Sequence, residues 1–283
     1  MKMLLPPDWD KAGADNKKLC AKFDRAVYRA GGSYLPYRLF RPCVPKGSAK
    51  ANTDTIRKKS EKVPLVIYLH GADAAGDDNE LQLSMHDIGT FLARDDLQKR
   101  HPCYIMAPQY GEMRHWSMPD IREGLWNLIA ETLDTYKDID RSRIYIYGYS
   151  AGGVGALRTV KEHPGFFAAA IIICGATGTW DIDRLLEIPI WMVHAADDKI
   201  VKASYRSGTR GELANLGSHD IYQWYLKAKD KAEGPVSEMR YTEYPSGYME
   251  THYGVNPHCS WVAVSDMRNI EMWEWMFAKK LKG

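Results

Sequence analysis

The sequence predicts an α/β fold: a mostly parallel central sheet with helices on both faces, preceded by an N-terminal β-hairpin. Two observations carry this. From residue 63 onward, short apolar strands alternate with patterns of helical spacing, and that alternation builds a parallel sheet covered on both sides. In addition, the β-rich run Arg143–Tyr147 drives into Gly148-Tyr149-Ser150-Ala151-Gly152, after which a helix-forming run begins at once. A strand, a sharp Gly-x-Ser-x-Gly turn and a helix make a nucleophile elbow, which lifts a serine hydroxyl clear of the sheet.

Taken in order, residues 23–41 alternate in polarity around Gly31-Gly32 and read as the hairpin. Residues 44–62 are polar and basic and read as a solvated loop. The strands expected next are Pro64–Leu69, Cys103–Ala107, Ile144–Tyr147, Ala168–Cys174, Pro189–His194 and Met239–Tyr244. Between the second and third of these, Ile121, Leu125, Leu128, Ile129 and Leu133 have the spacing of one buried helix face. No repeat, low-complexity tract or linker interrupts the chain. One domain over 1–283 is expected, with 1–62 as hairpin and loop and 63–283 as the core that carries the serine.

Composition narrows the function. The chain has 283 residues, 45% hydrophobic and 26% charged, which suits a globular domain. A net charge of +2 gives no basic face for nucleic acid. No apolar run is long enough to span a membrane, so neither partner is expected. Met1-Lys-Met-Leu-Leu-Pro-Pro has too short an apolar core for a signal peptide, and the chain as given reads as cytoplasmic. Cys20, Cys43, Cys103, Cys174 and Cys259 are scattered without paired spacing, and reduced thiols are expected. Nothing in the sequence bears on oligomeric state.

A serine hydroxyl needs a base to take its proton and an acid to orient that base. In this topology the acid follows a later strand, and the histidine follows the acid. Asp197 and Asp198 both stand in the loop after Pro189–His194; Asp198 is favoured, four residues after His194 and three before Val201. Of the three later histidines, His219 sits in a polar segment. His258 precedes the final helical pattern, where a loop can reach back over the sheet, with His252 its competitor. The N–H of Ala151, at a helix start, is free to stabilise an oxyanion. The partner donor is the amide of Ala72 or Asp73, just after Leu69-His70-Gly71. His70 itself reads as a structural hydrogen-bonding residue.

These segments resemble the α/β-hydrolase superfamily, specifically its dienelactone-hydrolase-like and "predicted peptidase" serine esterases, near the feruloyl esterases and polyhydroxybutyrate depolymerases. The resemblance rests on Leu69-His-Gly-Ala72 with Asp77-Asp78-Asn79, Ala107-Pro108-Gln109 with Trp116, and Asp140–Ile144 leading to Gly148–Gly153. It continues through Phe167–Ala170 with Cys174-Gly175, then His194–Val201 and His258-Cys259-Ser260-Trp261. It implies the α/β-hydrolase fold, Ser150 as nucleophile, Asp198 as acid, His258 as base, and Ala72 and Ala151 as oxyanion donors. Relatives often have glycine where Asp73 stands; a carboxylate turned inward there would repel an oxyanion, so it should point away or bond locally. Pro257 before the histidine is a second departure, as are the long loops 245–257 and 199–235.

Only residues 175–187 separate the sixth strand from the acid-bearing one, too few for a large cap domain. An open site suits small or exposed esters, such as acyl-sugar or phenolic-acid esters, cleaved through an acyl-enzyme without metal or organic cofactor. Asp73, Trp116, Tyr149, Trp180 and Tyr248 are the expected substrate contacts, with Tyr110 and Tyr253 as further aromatic candidates, although such aromatics also fill cores. The alternatives are a serine peptidase of the prolyl oligopeptidase type, an acyltransferase, or a ligand-binding module that keeps the fold.

Overall fold

The computed structural model describes residues 9–42, 62–205 and 215–282, so Cys43 and nearly all of the expected loop at 44–62 lie outside the described residues. The strands are β1 (Phe23–Ala30), β2 (Ser33–Phe40), β3 (Val63–Leu69), β4 (Tyr104–Pro108), β5 (Ile139–Tyr149), β6 (Ala169–Ile173), β7 (Ala176–Gly178), β8 (Ile190–Ala195), β9 (Asn215–Gly217) and β10 (Met239–Tyr244). The helices are α1 (Trp9–Cys20), α2 (Leu81–Ser84), α3 (Asp95–Arg100), α4 (Pro119–Thr135), α5 (Ala151–Glu162), α6 (Ser218–Lys229), α7 (Tyr248–Tyr253), α8 (Trp261–Val264) and α9 (Glu271–Phe277).

Eight strands form one sheet in the order β1-β2-β4-β3-β5-β6-β8-β10. The hairpin β1–β2 turns on Gly31 and Gly32, both at positive φ, and extends the sheet because β2 pairs antiparallel with β4. Every pairing beyond β4 is parallel. β5 begins five residues before the apolar run that predicts it. Its early half is polar and held locally: Asp140 accepts from Ser142 N at 3.0 Å and from Arg143 Nε at 2.8 Å. An apolar-run reading sees only the buried half of such a strand.

Pleating sorts the side chains into two cores. Leu65, Ile67, Leu69, Ile144, Ile146, Ala170 and Ile172 face one side, with Ile121, Leu125, Leu128 and Ile129 of α4 and Leu157 of α5. Val66, Tyr68, Tyr145, Tyr147, Ile171 and Ile173 face the other, against Trp261, Met272 and Trp273. Each fully buried branched or aromatic side chain contributes about 1.5–3 kcal/mol, so the central strands are held from both faces.

The carboxyl ends of β3, β5, β6 and β8 finish together: Leu69 lies beside Gly148, Tyr149 beside Ile173, and Ile173 beside Val193. The loops leaving these ends share one rim, where sites of open α/β sheets collect. Among the described residues no helix is long and apolar enough to cross a membrane, and Cys20, Cys103, Cys174 and Cys259 are free thiols.

Candidate active site

Ser150 stands between β5 and α5 with φ 55° and ψ −123°. A side chain with a Cβ is strained there, and such strain marks sites held by their surroundings. The surroundings explain the glycines. A Cβ on Gly152 would lie 1.9 Å from Leu69 O, and one on Gly148 would lie 2.4 Å from Gly152 O. Only glycine at both positions lets the chain turn this tightly against β3. Ser150 N donates to Ile173 O at 2.9 Å, pinning the turn to β6.

His258 meets Ser150 from the far end of the chain. Its Nε2 lies 2.9 Å from Ser150 Oγ, and its Nδ1 lies 2.7 Å from Asp198 Oδ2. This geometry has Nδ1–H donating to the carboxylate and Nε2 accepting from the hydroxyl. Asn256 sets the imidazole's approach by accepting from His258 N at 2.9 Å, so Pro257 opens a 3-10 turn rather than breaking one. Asp198 is 4% exposed. Its Oδ1 accepts from the amides of Ile200 and Val201 at 2.8 and 3.1 Å. Its Oδ2 also faces Nε2 of the fully buried His194 at 3.3 Å. Burial alone would raise the Asp198 pKa; the bonds from His194 and His258 outweigh it and hold the carboxyl well below its usual range. Burial opposes charge on His258 too, but its bond to Asp198, with Cys174 close by, raises that imidazole above its ordinary value.

The neighbouring candidates separate cleanly. Asp197 turns to the other side and accepts from Gly247 N at 2.8 Å, tying the loop to α7. His252 stacks on Tyr248 at 3.8 Å and bonds Tyr248 O. His219 pairs with Glu243 at 3.1 Å on the surface. His70 is buried, donates Nδ1–H to Gly71 O and accepts from Tyr110 N, and burial lowers its pKa to about 4. Cys174, Asp198 and His258 converge closely enough to consider a metal ion. The 2.7 Å between Asp198 and His258 is a hydrogen bond, tighter than the roughly 3.3 Å separating two ligands on a tetrahedral ion.

Ala151 is the first residue of α5, and Ala72 opens a 3-10 turn at Ala72–Ala74. Amides at such starts have no partner within their own helix. Asp73, beside Ala72, is held by local bonds: Tyr149 OH donates to Oδ1, and His86 Nε2 lies 2.6 Å from Oδ2. His86 packs on Trp261 with ring centroids 4.3 Å apart. Neither His86 nor Trp261 stands out in the sequence as a neighbour of Asp73, because the segments carrying them come together only through the fold.

Three expected contacts pack at least one ring face against the protein. Trp116 is 3% exposed, packs beneath Gly155 of α5 and donates Nε1–H to His70 O, so it belongs to the core. Trp180 lies under the Lys161 ammonium, 3.7 Å from the ring centroid, about three turns along α5 from Ser150. Tyr248 stacks on Tyr244 and His252.

The family model described as "Putative esterase" matches residues 58–230. The chain is 27% identical to "Putative esterase NocK" of Nocardia uniformis subsp. tsuyamanensis over 116 residues, 40% of this chain and 33% of that one. A thermostable esterase of known structure is similar with TM-score 0.75 and 32% identity, covering 93% of this chain and 64% of that one. An esterase from Pyrobaculum calidifontis shares the fold at TM-score 0.57 and 14% identity, over 95% of this chain and 92% of that one. The chain thus spans one third of its curated relative and under two thirds of the thermostable esterase.

Proposed function

The chain belongs to the Esterase family of α/β-hydrolase serine esterases, and on that premise we propose that it is a serine carboxylesterase acting on small or exposed esters. The observation that carries the reading is His258, set 2.9 Å from Ser150 Oγ and 2.7 Å from Asp198. Ser150 Oγ attacks the ester carbonyl while His258 Nε2 takes its proton, and Asp198 stabilises the imidazolium that forms. The amides of Ala72 and Ala151 donate to the tetrahedral oxyanion. Collapse expels the alcohol, which receives the proton from His258, and leaves an acyl group on Ser150. Water then attacks with His258 again as base, releasing the acid and restoring the serine. Every step is proton transfer or addition–elimination at one carbonyl carbon.

An open site supports the substrate class. The connection from β6 to β8 holds only β7 and a 3-10 turn at Ile182–Glu187, and Ala72 and Asp73 are exposed at the rim. Acyl-sugar and phenolic-acid esters fit such a rim, where Asp73 directly follows Ala72 and accepts from Tyr149, the residue before Ser150. Short p-nitrophenyl esters assayed beside aminoacyl-p-nitroanilides test the reading. Faster ester cleavage with covalent labelling of Ser150 by a neutral fluorophosphonate is expected. Faster anilide cleavage would convert it to a peptidase, and no labelling would remove the catalytic reading altogether.

A further inference from the structure

A second carboxylate–histidine pair is tied to Tyr149, the residue before the serine, and the proposed chemistry does not use it. Asp73 directly follows Ala72, and its side chain is 46% exposed. His86 and Tyr149 hold both of its oxygens from the protein side, and Trp261 backs His86. Each of the three catalytic segments therefore delivers one residue to this wall: Asp73 from the oxyanion loop, Tyr149 from before Ser150, and Trp261 from after His258.

An anion beside a developing oxyanion opposes the reaction unless a donor meets it. A carboxylate has about four acceptor positions, more than the bonds from His86, Tyr149 and its own amide fill, and the half-exposed group can take a further donor from solvent or substrate. We propose that Asp73, fixed by His86 and Tyr149, is a specificity-determining residue that selects esters carrying a hydrogen-bond-donating, non-anionic substituent, a hydroxyl or an ammonium, near the scissile carbonyl. This rests on the esterase reading and names the chemistry of its substrate. Substrates bearing a carboxylate are rejected by the same charge.

The test compares kcat/KM for four probes in the wild type and Asp73→Asn: p-nitrophenyl butyrate, an aminoacyl p-nitrophenyl ester, acetylated xylose and mono-p-nitrophenyl succinate. Relative to the butyrate, the ammonium or hydroxyl probe should lose about tenfold in the variant and the anionic probe should gain about tenfold, the scale of one charge-assisted hydrogen bond. If the ammonium preference carries the effect, 0.5 M salt shrinks it; a hydroxyl preference survives salt. Asp73→Ser, which keeps a small polar group, guards against misfolding of the first variant, with both checked by circular dichroism. Ratios unchanged within twofold in a folded variant that still cleaves the butyrate would overturn this inference and leave the esterase intact. No cleavage of any ester by the wild type would instead sink the esterase reading and this one with it.

Discussion

Two aspartate–histidine pairs flank the elbow at nearly the same separation, Asp198–His258 at 2.7 Å and Asp73–His86 at 2.6 Å. They differ in everything else. Asp198 is buried, with two amides on one oxygen and two imidazoles facing the other, so its carboxylate has no freedom. Its histidine reaches the Ser150 hydroxyl. Asp73 is half-exposed, and its histidine spends its ring on Trp261. On the proposed mechanism, a carboxylate–histidine pair becomes a proton-transfer device only when burial saturates the acid and the fold puts a hydroxyl at the far nitrogen. Left at the rim, the same pair is a polar surface suited to meeting a substrate.

The largest expected effect breaks the comparison at its centre. Ser150→Ala should lower kcat on p-nitrophenyl butyrate by about 10⁶-fold and Asp198→Asn by about 10⁴-fold. Asp73→Asn should stay within about a hundredfold on the same ester, the range of a lost polar contact. Equal losses at Asp73 and Asp198 would erase the distinction between the two pairs.

Next in size is the histidine. His258→Ala should be as damaging as loss of the serine within about tenfold, whereas His252→Ala, which removes a ring stacked on Tyr248, should change kcat/KM by less than about threefold. Comparable damage from both would move the base to His252.

The smallest effect is a shift in pH. The proposed base works only when neutral, so activity should rise with pH through the His258 pKa. That pKa is raised above 6.5 by Asp198, which puts the midpoint of the acid limb above 6.5. The Nε2–H of His194, bonded to Val201 O at 2.8 Å, also faces the same oxygen at 3.3 Å from the buried side. In His194→Gln, weakening that donor leaves more charge for His258, which should move the limb about half a unit further alkaline. A limb centred below 6.5, or one that moves to lower pH in His194→Gln, contradicts this arrangement.

Much of the site is legible in the sequence because its constraints are local. The elbow needs Gly148 and Gly152 wherever a strand turns at once into a helix over a neighbouring backbone, and clashes at 2.4 and 1.9 Å show why. Apolar runs mark β3, β4, β6 and β8 because both faces of each are buried. The chain order that points to Asp198 and His258 follows from where strands end. The aromatics are less legible, since a ring's sequence position says nothing about which of its faces the protein fills. Trp116 and Trp180 pack on α5, while His86 comes to Asp73 from a loop and Trp261 from the start of the four-residue α8, both too short for periodicity.

By itself the sequence determined the alternating α/β order, the hairpin and the serine turn, because each depends on residues within a dozen positions of one another. Only the tertiary structure decided which carboxylate is saturated and which stays open. That choice depends on burial and on donors brought from distant segments, with His258 meeting Asp198 across sixty residues and Tyr149 meeting Asp73 across seventy-six. Strand patterns encode where such loops leave the sheet. Their packing alone sets the distances at which protons can move.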